Sequence, residues 1–178
     1  MALVTTKELL LDAQKNGYAV GAFNVENMEM ESVQIKGIDS TNRITKADLA
    51  EGATFVVTER LMTHGKQNAD STFEIELNGE GSGAHIVSRA VARDESTQLF
   101  ISKMSGNAAC NGHTECDAII MDKAAIRAVP EISANSTDAS LIHEAAIGKI
   151  AGEQIIKLMT LGLTEAEAEE QIINGFLK

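Results

Sequence analysis

Short strand-like segments separated by turn signals fill the chain between residues 31 and 142. In one of them, Phe73, Ile75 and Leu77 alternate with polar residues, which is the pattern of a strand buried on one face. Similar short runs are Ala53–Arg60, Ala84–Val91, Gln98–Met104, Asp117–Met121 and Ala124–Val129. Because Asn-Gly, Gly-Ser-Gly and Asp-Glu-Ser turn signals lie between these runs, this part of the chain is predicted to be mainly β.

Two architectures would give short strands at this spacing, a β-sandwich and a β-solenoid. Aromatic residues make up only 3% of the chain and tryptophan is absent, which is little for the core of a sandwich. A solenoid interior, stacked from small and β-branched residues, tolerates this composition better. The periodicity alone leaves both architectures open.

After His143 the period of the apolar residues becomes helical. Ala151–Leu161 is predicted to form one helix, ended by Gly162, and Thr164 with Glu167 forms a capping box that opens a second helix. The apolar stripes of the two helices are Ile155, Ile156 and Met159, and Ala168, Ile172 and Phe176. Helices this short cannot bury such stripes alone, so we expect them to pack on the strands, on each other or on a partner.

The stretch from Gly106 to Glu144 contains both cysteines of the chain and two of its four histidines. Cys110, His113 and Cys116 form a C-x2-H-x2-C pattern, and thiolate and imidazole ligands suit iron, zinc and copper(I). The alternative is structural, because a free cysteine commonly packs as a small apolar residue.

Spacing narrows the kind of metal site that these residues could form. The pattern has no second cysteine pair to complete a structural zinc site, and two cysteines cannot supply the four thiolates of a standard iron–sulfur cluster. Asn111-Gly112 is a turn signal, so the three residues need not share one strand face. Any cluster here would need water, carboxylate, imidazole or a second chain as additional ligands.

The net charge of −11 argues against nucleic acids and anionic membranes as partners, because such partners need a basic surface. The chain has no apolar run near the roughly 18 residues of a membrane span. Its start, MALVTTKELL, lacks the basic and apolar regions of a secretory signal. We therefore expect a cytoplasmic protein with reduced cysteines.

Several motifs in consistent order resemble the C-terminal part of the SufB/SufD family. They are Thr114–Ile120, Val129–Asn135, His143–Ile150, Gly162–Glu169 and Gly175–Leu177, preceded by Gln34–Thr41, Thr63–Gln67 and Val87–Ala92, which are similar to compact members. The resemblance runs from about residue 31 to residue 178 and covers about the second half of even a compact member.

This resemblance implies a right-handed parallel β-helix with a short helical C-terminal region. It predicts a leader over residues 1–30, a β-helix domain over 31–142 and a helical region over 143–178. Proteins of this family are scaffold subunits of an iron–sulfur cluster assembly machine, not enzymes. The resemblance also implies two kinds of partner: a separate ABC-type ATPase that docks on the helical region, and a second subunit, either a copy of the chain or a SufB/SufD-type partner.

The resemblance also assigns candidate site residues. Cys116 matches the SufB-type cysteine implicated in cluster assembly, and His143 and Glu144 match the His-Glu pair that follows it. The implied roles are Cys116 as an iron-ligating thiolate or a persulfide carrier, with Glu144 and His143 as further ligands of a transient cluster shared between subunits. Cys110 and His113 match compact members only and are weaker candidates.

The spacing of the candidate ligands makes a geometric prediction. Cys116 and Glu144 are 28 positions apart, which is about one solenoid turn. Residues on the same face of adjacent rungs approach within about 5–10 Å. We therefore expect Cys116 near His143 or Glu144 on one exposed face, close to a subunit interface.

Residues 1–30 differ from the rest of the chain. A capping box at Thr5 and Glu8 opens a helix that ends at Gly17, and Tyr18–Val25 is typical of a buried strand. This leader resembles the N-terminus of class II fructose-bisphosphate aldolases, but aldolase activity is not expected because the zinc-binding motifs are absent. The predicted junction lies between Glu26 and Val33. The Tyr18–Val25 strand is expected to pair with the first rung near Val33–Lys36, or to cover it.

The sequence leaves two functions open. The first is a cluster-assembly scaffold. The second is a truncated solenoid fragment that keeps the fold and partner docking but assembles no cluster, because the N-terminal half of the family's solenoid, through which sulfur reaches the site, is missing. No phosphate-binding loop or hydrolase motif is present in the sequence, so we expect ATP hydrolysis to come from the partner.

Overall fold

The computed structural model describes residues 27–30 and 38–178. Its strands form two parallel sheets, sheet 1 with the order β1-β3-β5-β7-β9 and sheet 2 with the order β2-β4-β6-β8. The strands are β1 Asn27–Met30, β2 Ser40–Leu49, β3 Thr54–Thr63, β4 Asn68–Leu77, β5 Gly83–Ala92, β6 Thr97–Gly106, β7 Asn111–Ile120, β8 Ala125–Ala134 and β9 Ser140–Gly148.

Consecutive strands alternate between the two sheets, so each pair of strands makes one turn of a solenoid. Residues paired between neighbouring turns are 27 to 29 positions apart, as in Asn27 with Thr54, Ser40 with Asn68 and Asn68 with Thr97. About four such turns stack with continuous parallel pairing. The prediction of a parallel β-solenoid followed by C-terminal helices is therefore confirmed.

Apolar side chains from both sheets fill the interior. Phe73, Ile75 and Leu77 are at most 1% exposed, as their alternation predicts, and the Phe73 and Phe100 rings lie 5.9 Å apart. Most other core residues are small or β-branched, because the two sheets leave little room for large side chains. This packing explains why a chain with few aromatic residues can still bury a continuous core.

The corners of the solenoid repeat from turn to turn. Asn135 donates from Nδ2 to Asn107 Oδ1 at 2.7 Å, and Asn107 donates in the same way to Asn78 at 2.6 Å. At another corner the positive φ angles of Asp94 and Asp122 recur one turn apart, and the Asp122 carboxylate accepts from the Asp94 amide. Because a side-chain hydrogen bond connects each of these turns to the next, the corners stabilise the register of the strands.

The predicted Asn111-Gly112 turn is wrong. Both residues lie in β7, and Gly112 faces the interior. A Cβ at Gly112 would lie 2.1 Å from Met104 Sδ and 2.7 Å from Leu141 Cδ2. The glycine therefore permits close packing inside a strand and does not mark a turn.

The expected boundary between residues 142 and 143 falls inside β9, which continues the solenoid to Gly148. The predicted helix and Tyr18–Val25 strand of the leader lie outside the described residues, as does the stretch 33–36 expected to pair with that strand. Of the leader, only β1 is described, and it pairs with β3.

Two helices follow the strands, α1 Gly152–Met159 and α2 Glu165–Phe176. The capping box at Thr164 and Glu167 is confirmed, with Thr164 Oγ1 accepting from the Glu167 amide. Glu169 lies 3.7 Å from Arg93 of the β5–β6 loop, so α2 packs beside an earlier turn of the solenoid. Neither helix is long and apolar enough to cross a membrane.

The last turn leaves one end of the core open. Ile132 and Ile147 occupy inward positions of β8 and β9, yet they are 43% and 40% exposed. Their partners one turn earlier, Met104 and Ala118, are only 2% and 4% exposed. β8 and β9 are also edge strands of their sheets, so both apolar side chains and unpaired backbone groups are presented at this end.

We expect Gly112→Ala to destabilise the protein by about 1–3 kcal/mol, because the added methyl group overpacks the interior next to Met104 and Leu141. Urea unfolding followed by circular dichroism measures this change. Gly148→Ala is the matched control, since nothing lies within 4 Å of a Cβ at that strand position. Equal losses in the two variants would contradict the packing role of Gly112.

Candidate functional site

The candidate residues lie on β7 and β9, the last two strands of sheet 1. Side chains alternate along a strand, so Thr114 and Cys116 face the interior, whereas His113, Glu115 and Asp117 face outward. The pairing of β7 with β9 sets Thr114 beside His143, Glu115 beside Glu144 and Cys116 beside Ala145. Cys116 and Glu144 therefore lie on opposite sides of the same sheet.

Cys116 is fully buried, with 0% of its surface exposed, so the prediction of an exposed position is wrong. Its strand neighbours are Ser88 on β5 and Ala145 on β9. Burial raises the pKa of the Cys116 thiol to about 11, and the negative charges of Glu59 and Asp117 add to the effect. At neutral pH the group is a protonated thiol, which is a weak nucleophile and a weak metal ligand.

The buried carboxylate of Glu59 lies in the same inward column as Cys116. Glu59 is 7% exposed, and its carboxylate forms a salt bridge with Arg43. Ser71 donates to the Glu59 carboxylate at 2.8 Å and Ser88 donates to it at 3.0 Å. Glu59, Ser88 and Cys116 pair in register on β3, β5 and β7. Ser88, which donates to Glu59, is therefore the direct strand neighbour of the thiol residue.

Glu59 was not among the residues singled out from the sequence. The signal that could have found it is its position in β3, where it follows Phe55 and Val57 in the alternation of buried residues. A charged residue at an inward position needs a partner, and that partner, Arg43, lies on the opposite sheet.

Outside the sheet, His113 and two carboxylates form a compact cluster. His113 Nε2 lies 3.4 Å from Glu144 Oε2, and one ligand atom from each of His113, Glu115 and Glu144 lies within 4.8 Å of the others. A hydrogen bond with Asp117 raises the pKa of Glu115, with partial burial and the charge of Asp117 acting in the same direction. Arg89 and His113 oppose this change.

Glu115 also escaped the sequence analysis. It lies two residues after His113, and two residues is the period of one strand face. The expected turn at Asn111-Gly112 obscured this relation, because it removed the first part of β7 from the strand.

His143 faces the interior at the open end of the solenoid. Burial lowers the pKa of its imidazole, and His113 contributes to the decrease. Its Nδ1 atom is buried and forms no hydrogen bond with the described residues. His143 pairs with Thr114, two residues before Cys116. Strand geometry therefore places the Cα atoms of Cys116 and His143 about 8 Å apart.

A complete iron–sulfur cluster does not fit the ligands of one chain. Cys110 and Cys116 are both buried, at 2% and 0% exposure, and they are the only thiols. The Glu144 carboxylate is separated from Cys116 by the sheet. A cluster, as cargo of the protein, would need ligands from a second chain or a rearrangement of the last turn.

The comparison with protein families settles the relationship of this chain to known proteins. The family described as SUF system FeS cluster assembly, SufBD core domain, matches residues 18–176. The chain belongs to the SufBD family. The match begins inside the predicted leader, upstream of the junction expected between Glu26 and Val33.

Named relatives from archaea support this membership of the SufBD family. The chain is 43% identical over 103 residues to an iron–sulfur cluster assembly SufBD family protein of Methanothermobacter thermautotrophicus, covering 57% of this chain and 25% of that protein. It is 28% identical over 172 residues to one of Pyrococcus horikoshii, covering 94% of this chain and 49% of the relative. The matches thus span between a quarter and a half of these relatives.

We expect the thiol of Cys116 to react slowly in the folded protein. In a Cys110→Ser background, iodoacetamide labelling at pH 8 should be at least about 100-fold slower than in the unfolded chain, because two pKa units reduce the thiolate fraction about 100-fold. The labelling rate should rise as the pH approaches 11, the pKa of the buried thiol. Rapid labelling of the folded chain at pH 8 would contradict the buried position.

Proposed function

We propose that this chain acts as a scaffold subunit in iron–sulfur cluster assembly, with the cluster as transient cargo. The observation that carries the proposal is the placement of Cys116 and His143 on the inner face of the last strands of sheet 1, next to the open end of the solenoid. Membership of the SufBD family supports the same process. In this proposal the chain catalyses no reaction of its own and works in the cytoplasm.

The proposed roles follow the chemistry of each side chain. Cys116 ligates iron as a thiolate, or carries sulfur as a persulfide, once its proton has been removed. His143 offers a neutral imidazole, a borderline ligand that suits iron, and its Nδ1 atom is free of hydrogen bonds to the described residues. Glu144 lies on the outer side of the same strand and does not reach this inner site in the present arrangement.

A second subunit completes the proposed site. Each chain offers only two thiols, and standard clusters need four protein ligands. The exposed inward positions Ile132 and Ile147 give a second solenoid end an apolar surface on which to pack. A homodimer or a SufB/SufD-type heterodimer formed there would bring additional ligands beside His143.

An ABC-type ATPase is the second proposed partner, and the helical region is its proposed docking surface. Ile156 and Met159 of α1 and Leu161 just after it are 63%, 44% and 74% exposed. Such a group of exposed apolar side chains on short helices is typical of a protein interface. By contrast, Ala168 and Ile173 of α2 are buried and contribute to the fold.

The alternative function is a solenoid fragment that keeps the fold and partner docking but assembles no cluster. It is favoured by two observations: the relatives are two to four times longer than the matched regions, and Cys116 is fully buried. Anaerobic reconstitution distinguishes the two functions.

We expect wild-type protein incubated anaerobically with ferrous iron and sulfide to develop a visible iron–sulfur chromophore, and Cys116→Ser to lose it. Cys110→Ser is the matched control, because Cys110 is equally buried but lies outside β7. Melting temperatures within a few degrees of each other would show that both variants are folded. The absence of a chromophore in the wild type would favour the fragment, and an unchanged chromophore in Cys116→Ser would exclude Cys116 as a ligand.

For ATPase docking, we expect Ile156→Asp to reduce binding of the cognate ATPase at least tenfold by calorimetry while leaving the β-type circular dichroism intact. The control is Glu153→Gln, a change on the same helix that leaves the apolar surface complete. Full binding by Ile156→Asp would exclude this surface of α1.

A further inference from the structure

The outer face of sheet 1 contains a group of potential ligands that the thiol site does not use. We propose that His113, Glu115 and Glu144 form a binding site for a single divalent first-row transition-metal ion, such as Fe²⁺, Mn²⁺ or Co²⁺. Imidazole and carboxylate ligands suit these ions. The site requires neither Cys116 nor a cluster, so it does not depend on the proposed scaffold function.

The positions of the ligand atoms match what one metal ion needs. Ligand atoms bound to one ion at about 2.1 Å lie between about 3 and 4.2 Å apart. His113 Nε2 and Glu144 Oε2 are already 3.4 Å apart, and the three ligand atoms all lie within 4.8 Å of one another. Side-chain rotations that move the carboxylate oxygens by less than about 1 Å would therefore bring all three ligand atoms within bonding distance of one ion.

His113 provides a second observation that indicates a ligand. Its Nε2 atom is shielded from solvent and forms no hydrogen bond with any described residue, although Glu144 Oε2 is nearby. The ring of His85 lies 5.0 Å from the His113 ring, centroid to centroid, on the neighbouring strand. This contact limits the positions of the His113 ring and keeps Nε2 directed towards the carboxylates.

Charge favours a cation at the same place. Glu115 and Glu144 are direct neighbours on paired strands, where like charges are destabilising. Among the residues that the structure describes, neither carboxylate forms an ion pair with lysine or arginine. Arg89 instead lies beside Asp117, its neighbour in register. A divalent ion would neutralise the two carboxylates and occupy the unpaired nitrogen.

The two sides of β7 therefore present different chemistry. On the inner side, Cys116 contributes a sulfur atom. On the outer side, His113, Glu115 and Glu144 contribute only nitrogen and oxygen atoms. A metal bound outside should show no sulfur-to-metal charge transfer. This spectroscopic difference separates the outer site from the proposed cluster site.

The test is titration of tag-free full-length protein with Co²⁺ under reducing, anaerobic conditions, followed by visible absorption and calorimetry. We expect one ion per chain with d–d bands and no sulfur charge-transfer band. His113→Ala, Glu115→Gln and Glu144→Gln should each weaken Co²⁺ binding at least tenfold. His64→Ala, a change in the exposed β3–β4 turn, should leave Co²⁺ binding unchanged.

Thermal unfolding distinguishes loss of metal binding from loss of the folded structure. Without metal, Glu144→Gln should melt at the same temperature as the wild type or higher, because it removes a repulsion. Saturating Co²⁺ should raise the melting temperature of the wild type and not that of Glu144→Gln. Unchanged Co²⁺ affinity in Glu115→Gln and Glu144→Gln, or a sulfur-to-cobalt charge-transfer band on binding, would overturn the proposal.

Discussion

In-register stacking of parallel strands is the constraint on which the rest of this structure depends. Each inner strand forms backbone hydrogen bonds with the strand one turn before it and the strand one turn after it, and the paired residues are 27 to 29 positions apart. Because side chains alternate along a strand, the register decides which residues enter the core and which face outward. It places Cys116 inside the solenoid and Glu115 outside, although they are adjacent in sequence.

The register is also where the sequence was least informative. A distance of 28 residues between Cys116 and Glu144 predicted one shared face, but β7 and β9 pair with a spacing of 29, so the partner of Cys116 is Ala145. One extra residue in a corner moves every following side chain of that strand to the other face of the sheet. The local sequence does not show which corners contain the extra residue. Local patterns were more reliable: the alternation around Phe73 and the capping box at Thr164 both specify structures that form within a few residues.

The buried pair of Arg43 and Glu59 shows a second limit of sequence analysis. The two residues come from different sheets, and their salt bridge, with Ser71 and Ser88 as further donors to Glu59, forms only when the turns stack. Removing Arg43 should cost about 3–5 kcal/mol, because the buried Glu59 carboxylate would remain in the interior without its cation. Burial raises the pKa of the Cys116 thiol, and the negative charge of the same Glu59 carboxylate adds to the effect, so a group that orders the core also favours the protonated thiol.

The end of the solenoid joins these constraints to function. β7 is paired on both sides, by β5 and by β9, whereas β9 is an edge strand with pairing on one side only. Local opening costs least where a strand has few partners, so β9 should separate from the sheet more readily than β7. Separation of β9 would uncover Cys116 from the Ala145 side and would also remove Glu144 from His113. A metal ion held by His113, Glu115 and Glu144 would bridge β7 and β9 and oppose that separation. If the outer site binds a metal ion as proposed, its occupancy and access to the inner thiol would be coupled through β9.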